Sequence, residues 1–322
     1  MPLVLKSSEL VSLIDMDKAI ELIEEVVLEM TRDEVSVHAP YHLPVEGGAL
    51  RVVSAALRGS ARMGLRFGPA LALTPPSGLR DHVCTLYGTD GQILAVMGYP
   101  YSTLRTGATV AVAVKHMAPA GATKVGLLGT GMNAISLLQG VMAVRDVAEV
   151  VVYSRNEERR AKFAEEASGA TGLAIRAVGE TRDAVTGQDI VLTATNFRQP
   201  LFPPDWLEPE CHVNSMGPIG EIAAEVFLAA SHVVVSCIEH ERNYLYPTTP
   251  FPLVELIRDG KMSWDDVDEL GAVVAGEAKA RRRENGITLF HESAGGFGDI
   301  AFAGYAYEQA LRLGLGQEVS ME

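Results

Sequence analysis

The chain has 322 residues, 48% of them hydrophobic and 21% charged, with a formal net charge of −14. That length and composition suit two domains with cores of their own and exclude a disordered chain. The acidic balance argues against nucleic acid or an anionic membrane as partner, while leaving room for a local basic pocket that takes a small anion.

The first residues, Met1-Pro2-Leu3-Val4-Leu5-Lys6, lack the charged start and long apolar run of a secretory signal. Cys84, Cys211 and Cys237 are isolated, without metal-ligand spacing, and fit a reducing cytoplasm better than a disulfide framework. The expectation is a cytoplasmic protein without a metal site. Asp15 is placed to cap a helix in which Ile20, Ile23, Val27 and Met30 recur at helical spacing. From His38 to about Met97 the pattern changes to short runs broken by Gly and Pro. Leu50–Ala56, Gly64–Leu73, His82–Tyr87 and Ile93–Met97 read as strands of a mostly antiparallel sheet, with turns at Gly47-Gly48 and Asp90-Gly91. Thr106–Met117 reads as a largely buried helix. The most apolar stretch, Thr109–Ala120, contains Lys115 and His116 and is too short to span a bilayer.

From Lys124 the rhythm becomes strand, helix, strand. Val125–Leu128, Glu149–Tyr153, Leu173–Ala177, Asp189–Ala194, His212–Ser215 and His232–Val235 are apolar strand candidates, with helical patterns at Ile135–Val144 and Glu157–Ser168. Such alternation implies a parallel sheet covered on both faces. Ile300–Gly314 reads as a last helix that packs back on the first domain. The expected class is α/β: a Rossmann-type doubly wound parallel sheet domain over residues 118–299, plus a discontinuous α+β domain of residues 1–117 with 300–322.

Val125-Gly126-Leu127-Leu128-Gly129-Thr130-Gly131-Met132-Asn133-Ala134 is a strand running into G-x-G-x-x-A and then a helix. The first glycine permits the tight turn, the second lets backbone approach a pyrophosphate, and Ala134 allows close helix–strand packing. With the βαβ continuation present, the motif points to a nicotinamide dinucleotide. The second strand ends at Tyr153-Ser154-Arg155, without the acidic residue that would bind the ribose hydroxyls of NAD. A hydroxyl followed by an arginine suits a 2′-phosphate, which favours NADP(H) over NAD(H).

Leu104-Arg105-Thr106-Gly107-Ala108, the glycine motif after it, Tyr153-Ser154-Arg155-Asn156, Asn214-Ser215-Met216-Gly217 and Ser293-Ala294-Gly295 with Asp299-Ile300-Ala301 follow one another along nearly the whole chain. In this the chain resembles the ornithine cyclodeaminase/mu-crystallin family, which includes archaeal alanine dehydrogenases and ketimine reductases. The resemblance implies a homodimer whose first domain supplies the dimer interface and the substrate pocket, and hydride chemistry at a carbon–nitrogen bond beside a carboxylate. It implies Arg51, Arg66 and Arg105 as binders of a small anionic amino or imino acid. The implied cofactor residues are Gly129, Thr130, Gly131, Met132, Ser154, Arg155, Thr193, Asn214, Ser215 and Met216.

The chain departs from the family pattern at three positions. Arginine at 66 replaces the usual lysine, and its high pKa prevents proton transfer. Ile219 stands where cyclodeaminases and alanine dehydrogenases place an aspartate, and Pro40 replaces a basic residue. Cyclodeamination begins with an amine that must lose a proton, so a missing base weakens that reading more than imine reduction, where the cofactor supplies the hydride. Candidate side-chain acids are His42, His82, Glu221, His291 and Glu292, and Asp299 reads as the cap of the last helix. The leading function is therefore an NAD(P)H-dependent imine or ketimine reductase or amino-acid dehydrogenase. A catalytically reduced, mu-crystallin-like ligand-binding protein and a cyclodeaminase with a relocated base are the alternatives.

Overall fold

The computed structural model describes residues 1–46, 48–70, 82–216, 220–243, 251–283, 285–293 and 295–320. The chain begins with β1 (Leu3–Leu5), α1 (Ser7–Leu10), α2 (Met16–Thr31), β2 (Val35–Val37), β3 (Tyr41–Val45) and β4 (Gly48–Leu57). It continues through β5 (Arg62–Ala70), β6 (Val83–Gly88), β7 (Ile93–Gly98) and α3 (Ser102–Met117). Next come β8 (Lys124–Leu128), α4 (Ala134–Val144), β9 (Glu149–Tyr153), α5 (Glu157–Thr171), β10 (Ile175–Ala177), β11 (Ile190–Thr193) and β12 (His212–Met216). The remainder is α6 (Ala224–Ala229), β13 (His232–Val235), α7 (Ile238–Asn243), α8 (Pro252–Arg258), β14 (Val267–Glu269), α9 (Leu270–Val274), β15 (Thr288–Glu292), α10 (Gly296–Leu313) and β16 (Gln317–Glu318). Two compact units result, one of residues 1–105, 239–246 and 294–322, the other of residues 106–238 and 247–293.

The first unit is built on a sheet of order β16-β1-β7-β6-β5-β4-β2, with β3 also paired to β4. All its pairings are antiparallel except β1 with β7. The sheet is longer and wider than the sequence pattern suggests, because β1, β2 and β3 are short and carry little alternation. The fragment 71–73 of the expected second strand and Gly47 of the expected turn lie outside the described residues. Asp15 caps α2 as its spacing requires, accepting a hydrogen bond from Lys18 N at 2.9 Å. The last helix, α10, packs on β4, β5 and α2. Asp299 is not its cap: Gly295 holds that position, and Asp299 lies in the first turn with its side chain turned into the core.

The second unit carries an all-parallel sheet of order β10-β9-β8-β11-β12-β15-β13-β14. Its first five positions reproduce the doubly wound order in which the strand sequence reverses between β8 and β11. Val125, Leu127, Val150, Val152, Ile190 and Leu192 enter one core, while Leu128, Val151, Val191 and Val213 enter another. Alternate side chains thus feed opposite faces, which explains why the strands read as continuous apolar runs. The sequence pattern missed β15, which inserts between β12 and β13. It arrives some fifty residues after β13, behind a polar arginine-rich segment, so chain order gives no sign of its neighbours. Among the described residues no helix is long and apolar enough to cross a membrane.

Within the second unit α3 and α4 cross with their backbones in contact. A Cβ on Gly107 would meet the Ser136 carbonyl, and one on Gly140 would meet the Gly107 carbonyl. Arg145, just past α4, closes the carboxyl end of α3: its Nη2 donates to Val114 O at 2.8 Å, Lys115 O at 3.1 Å and Ala118 O at 3.0 Å. Carbonyls at a helix's carboxyl end run short of backbone donors, and the guanidinium supplies them here. Helix propensity alone would make Gly→Ala stabilising by about 1 kcal/mol. We expect this at exposed Gly169 in α5, where a Cβ meets nothing. At Gly140 the backbone clash wins, and Gly140→Ala destabilises by roughly 1–3 kcal/mol. Urea unfolding of the two variants should show opposite signs.

Candidate functional site

In the first unit β4 and β5 pair so that Val53 lies opposite Arg66, and β5 pairs with β6 so that Arg66 lies opposite Cys84. Opposed residues share a face and the side-chain period is two, so Arg51, Arg66 and Cys84 point to the same side of the sheet. His42, opposite Arg51, shares that side. Asp299 of α10 reaches two of the arginines: Arg66 Nε donates to its Oδ2 at 2.8 Å, and Arg105 Nε lies 3.6 Å from its Oδ1. The exposures are 4% for Arg66, 3% for Arg105 and 0% for Asp299, so this is a buried ion cluster. Burial raises the Asp299 carboxyl, but the two guanidinium groups and the hydrogen bond from Arg66 outweigh it and hold the pKa below the ordinary value. Arg66 also lies over the Tyr99 ring, 5.8 Å from its centroid. Arg51 differs from both, because its buried Nε and Nη2 have no hydrogen-bond partner among the described residues.

Three histidines surround these cations. His42, His82 and His240 are each pushed down to about 4, first by burial and then by arginines: Arg51 for His42 and His240, Arg66 for His82. His82 Nδ1 pairs with Ser102 Oγ at 2.9 Å. A histidine near 4 is neutral at neutral pH and is a poor proton donor there. His240, stacked on Phe297 with 6.4 Å between ring centroids, was not anticipated from the sequence. The Asp299 partnership was missed too, although an acid amid Gly296, Phe297, Gly298, Ile300 and Phe302 is a legible sign of a buried charge that needs a cation.

In the second unit the glycine turn follows β8. Gly129 has φ +101, and a Cβ there would run into the backbone of Ala194, so both conformation and space exclude other residues. A Cβ on Gly131 would lie 2.9 Å from the Ala194 carbonyl. Thr130 is partly covered, Met132 is exposed, and the Asn133 side chain makes no capping bond at the start of α4. The first-turn N–H groups of that helix are therefore suited to an anion. At the end of β9 the Ser154 hydroxyl donates to Asn156 O at 3.2 Å, and the exposed Arg155 stacks 4.8 Å from the Phe197 ring centroid.

The ends of β11, β12 and β15 gather the remaining candidates. Glu221 is 1% exposed and accepts hydrogen bonds from Thr193 Oγ1 at 2.5 Å, Ser215 Oγ at 3.3 Å and the Thr195 hydroxyl. Burial pushes its carboxyl up to about 7 against those donors and the nearby His291. Glu221 and His291 line one small cavity with Ser215, Phe227 and Leu253. Glu292, next to His291 at the end of β15, is buried as well. Both side-chain polar atoms of the fully buried Asn214 lack partners among the described residues, and Met216 is partly covered. Thr195 was not foreseen, though it repeats the Thr193 hydroxyl two residues on. Gly217 and Ile219 lie outside the described residues, as does Ala294.

A parallel sheet with covered faces, a positive-φ glycine after its first strand and polar groups gathered at strand ends defines a Rossmann-type α/β domain, here in a chain with a second, mixed-sheet unit. The ornithine cyclodeaminase/mu-crystallin family model matches residues 1–313, and the chain belongs to that family. A Δ1-pyrroline-2-carboxylate reductase of Bacillus cereus is 31% identical over 235 residues, 71% of this chain and 70% of that protein. An alanine dehydrogenase of Archaeoglobus fulgidus is 28% identical over 326 residues, 98% of each chain. Among solved structures, the Thermococcus litoralis Δ1-pyrroline-2-carboxylate reductase in complex with NADH and L-proline superposes with TM-score 0.90 at 29% identity, covering 98% of this chain and 100% of that one. An archaeal alanine dehydrogenase dimer with bound NAD gives 0.89 at 27% identity, covering 100% and 99%.

The buried ion cluster makes stability depend on Asp299. Asp299→Ala strands two buried guanidinium groups and should cost about 3–5 kcal/mol in urea unfolding. The carboxyl's folded pKa is depressed, so its contribution is present above the ordinary carboxylate value and is lost as pH falls through the folded one. A loss under about 1 kcal/mol near neutral pH would show that the arginines are satisfied without it.

Proposed function

We propose that the protein is a reductase of imino acids, using a nicotinamide dinucleotide to convert a carbon–nitrogen double bond beside a carboxylate into an amine. The observation that carries this reading is Arg51, whose two buried, unpartnered N–H groups share a sheet face with Arg66. Buried donors of this kind call for an acceptor, and a carboxylate matches a guanidinium edge with two parallel hydrogen bonds. The relatives named above reduce pyrroline-2-carboxylate or act on alanine, and both substrates carry a carboxylate beside the reacting carbon.

The second unit's residues fit a dinucleotide. Gly129, Thr130, Gly131 and Met132 offer backbone to the pyrophosphate, and the unpartnered Asn214 offers amide groups to the nicotinamide half with Thr193, Ser215 and Met216 around it. A reduced nicotinamide, when bound, supplies hydride to the substrate carbon. Arg51, Arg66 and Arg105 orient the substrate through its carboxylate and, being permanently charged, pass no proton. A protonated imine already carries the proton its nitrogen keeps in the product, so the step requires no side-chain acid there. His82 stays neutral and serves as a polar wall; Glu221 and His291 belong to the cofactor's unit.

Ser154 and Arg155 lie at the end of β9, where a 2′-phosphate would be met, and we propose a preference for NADPH over NADH. We further propose a homodimer. Tyr41, Leu43 and Val45 are exposed on the face of β3 opposite His42, an apolar patch on which a second copy can bury itself, and a solved neighbour is a dimer.

Loss of NADPH absorbance with Δ1-pyrroline-2-carboxylate tests the activity; tight cofactor binding without turnover on cyclic or open-chain imino acids would leave a ligand-binding protein instead. Arg51→Ala should raise KM about 10- to 100-fold with kcat little changed, the size of a lost charged hydrogen bond. Arg155→Ala should raise the KM for NADPH about tenfold and leave that for NADH unaltered; equal effects on both would reduce Arg155 to its stack on Phe197. Sedimentation equilibrium should give a dimer that Leu43→Glu dissociates, and a monomeric wild type would refute the interface.

A further inference from the structure

The doubly wound sheet is two mononucleotide-binding halves that meet where strand order reverses. The strand order reverses between β8 and β11, so on the dinucleotide reading β8 to β10 would meet the adenosine half and β11 onward the nicotinamide half. Glu221 sits among the ends of β11, β12 and β15, and so belongs to the nicotinamide half. Among the described residues, these groups face it. Thr193 and Thr195 come from β11 and its extension, Ser215 and the Met216 backbone from β12, and titratable His291 from β15. Phe227 from α6 and Leu253 from α8, with Phe251 ahead of it, complete the cavity with apolar surface.

The hydroxyls around it accommodate two states of the carboxyl group. Thr195 Oγ1 accepts from Phe197 N at 3.0 Å and gives its single proton to Glu221. Thr193 Oγ1 has two acceptors in reach, Glu221 Oε1 at 2.5 Å and Asn214 O at 3.4 Å. With Glu221 ionised, the Thr193 proton points at the carboxylate. With Glu221 protonated, the carboxyl O–H can donate to Thr193 Oγ1 while the Thr193 proton turns to Asn214 O. No buried donor is stranded in either state, which is the condition for a buried acid to switch at low cost.

We propose that Glu221 ties its proton to the oxidation state of the dinucleotide, ionised beside the cationic oxidised nicotinamide and protonated beside the neutral reduced one. This rests on the dinucleotide reading above. The oxidised ring carries a positive charge that the reduced ring lacks, and a carboxylate in a water-poor cavity responds to it strongly. Burial already places the carboxyl at about 7, where such a charge moves its proton. Glu221 is thus a positioning residue: it sets the relative affinity for the two cofactor forms without touching the substrate.

The test is the pH dependence of Kd for NAD+ and NADH, followed by protein fluorescence in the full-length wild type and in Glu221→Gln. From about pH 6 to about pH 8.5 the wild type should bind NAD+ roughly tenfold more tightly, one pKa unit's worth, with NADH unchanged or weakened. Glu221→Gln should remove the difference. Calorimetry on the wild type in two buffers of different ionisation enthalpy gives a readout independent of any variant, with proton release expected on binding NAD+. Binding of both forms with no proton release and no pH-dependent difference overturns the role of Glu221 alone. Persistence of the effect in Glu221→Gln with loss in His291→Gln moves the proton to His291 and also overturns it. Failure of NAD+, NADH, NADP+ and NADPH alike to bind overturns the dinucleotide reading itself.

Discussion

The first unit depends on one buried carboxylate. Asp299 is fully buried and still ionised, because Arg66 and Arg105 repay its desolvation. Its two oxygens fasten three pieces of chain: the first turn of α10, the middle of β5 and the start of α3. Arginine at 66 suits this better than a lysine would. Its Nε edge engages Asp299 while the same planar group still carries Nη donors, so one side chain can serve structure and anion binding together. An ammonium has three donors on a single nitrogen and lacks the planar fork that offers two parallel bonds to a carboxylate.

The second unit solves a different problem, holding a glycine turn close against the end of a neighbouring strand. Gly129 and Gly131 pass against Ala194 at the end of β11, and Gly107 and Gly140 let α3 and α4 touch. Small residues at both places set the position of the turn by contact on each side, and hydrogen bonds from Gly129 N to Tyr153 O at 2.8 Å and from Ala134 N to Gly131 O at 3.0 Å tie it further. That rigidity is what a pre-formed ligand site requires.

Most of this frame was legible in the sequence where local pattern and global fold agree. The glycine motif, the α2 cap at Asp15 and the apolar strands of the parallel sheet all follow from residue spacing. The parts that escaped are those set by partners distant in sequence. β15 finds its place between β12 and β13 although no local signal marks it. Asp299 looked like a helix cap because Asp near a helix start usually is one, and only the arrival of Arg66, 233 residues away, shows otherwise. The hydroxyl shell of Glu221 joins β11 and β12 to a loop residue, again beyond the reach of periodicity.

The two units also divide the chain's response to pH. In the first, the charges that would grip an anion are arginines, which do not titrate. Burial and those same arginines hold His42, His82 and His240 near 4, and the Tyr99 hydroxyl is pushed well above its ordinary value. Between about pH 5 and 9 the electrostatics these groups present to a substrate are therefore nearly constant. In the second unit the Glu221 carboxyl lies at about 7, inside that range. A protein with a formal charge of −14 thus keeps buried arginines among histidines that stay neutral near neutral pH in one unit, and a proton-sensitive cluster in the other. On the function proposed above, a pH effect near neutrality would therefore report on the second unit rather than on the arginine cluster of the first.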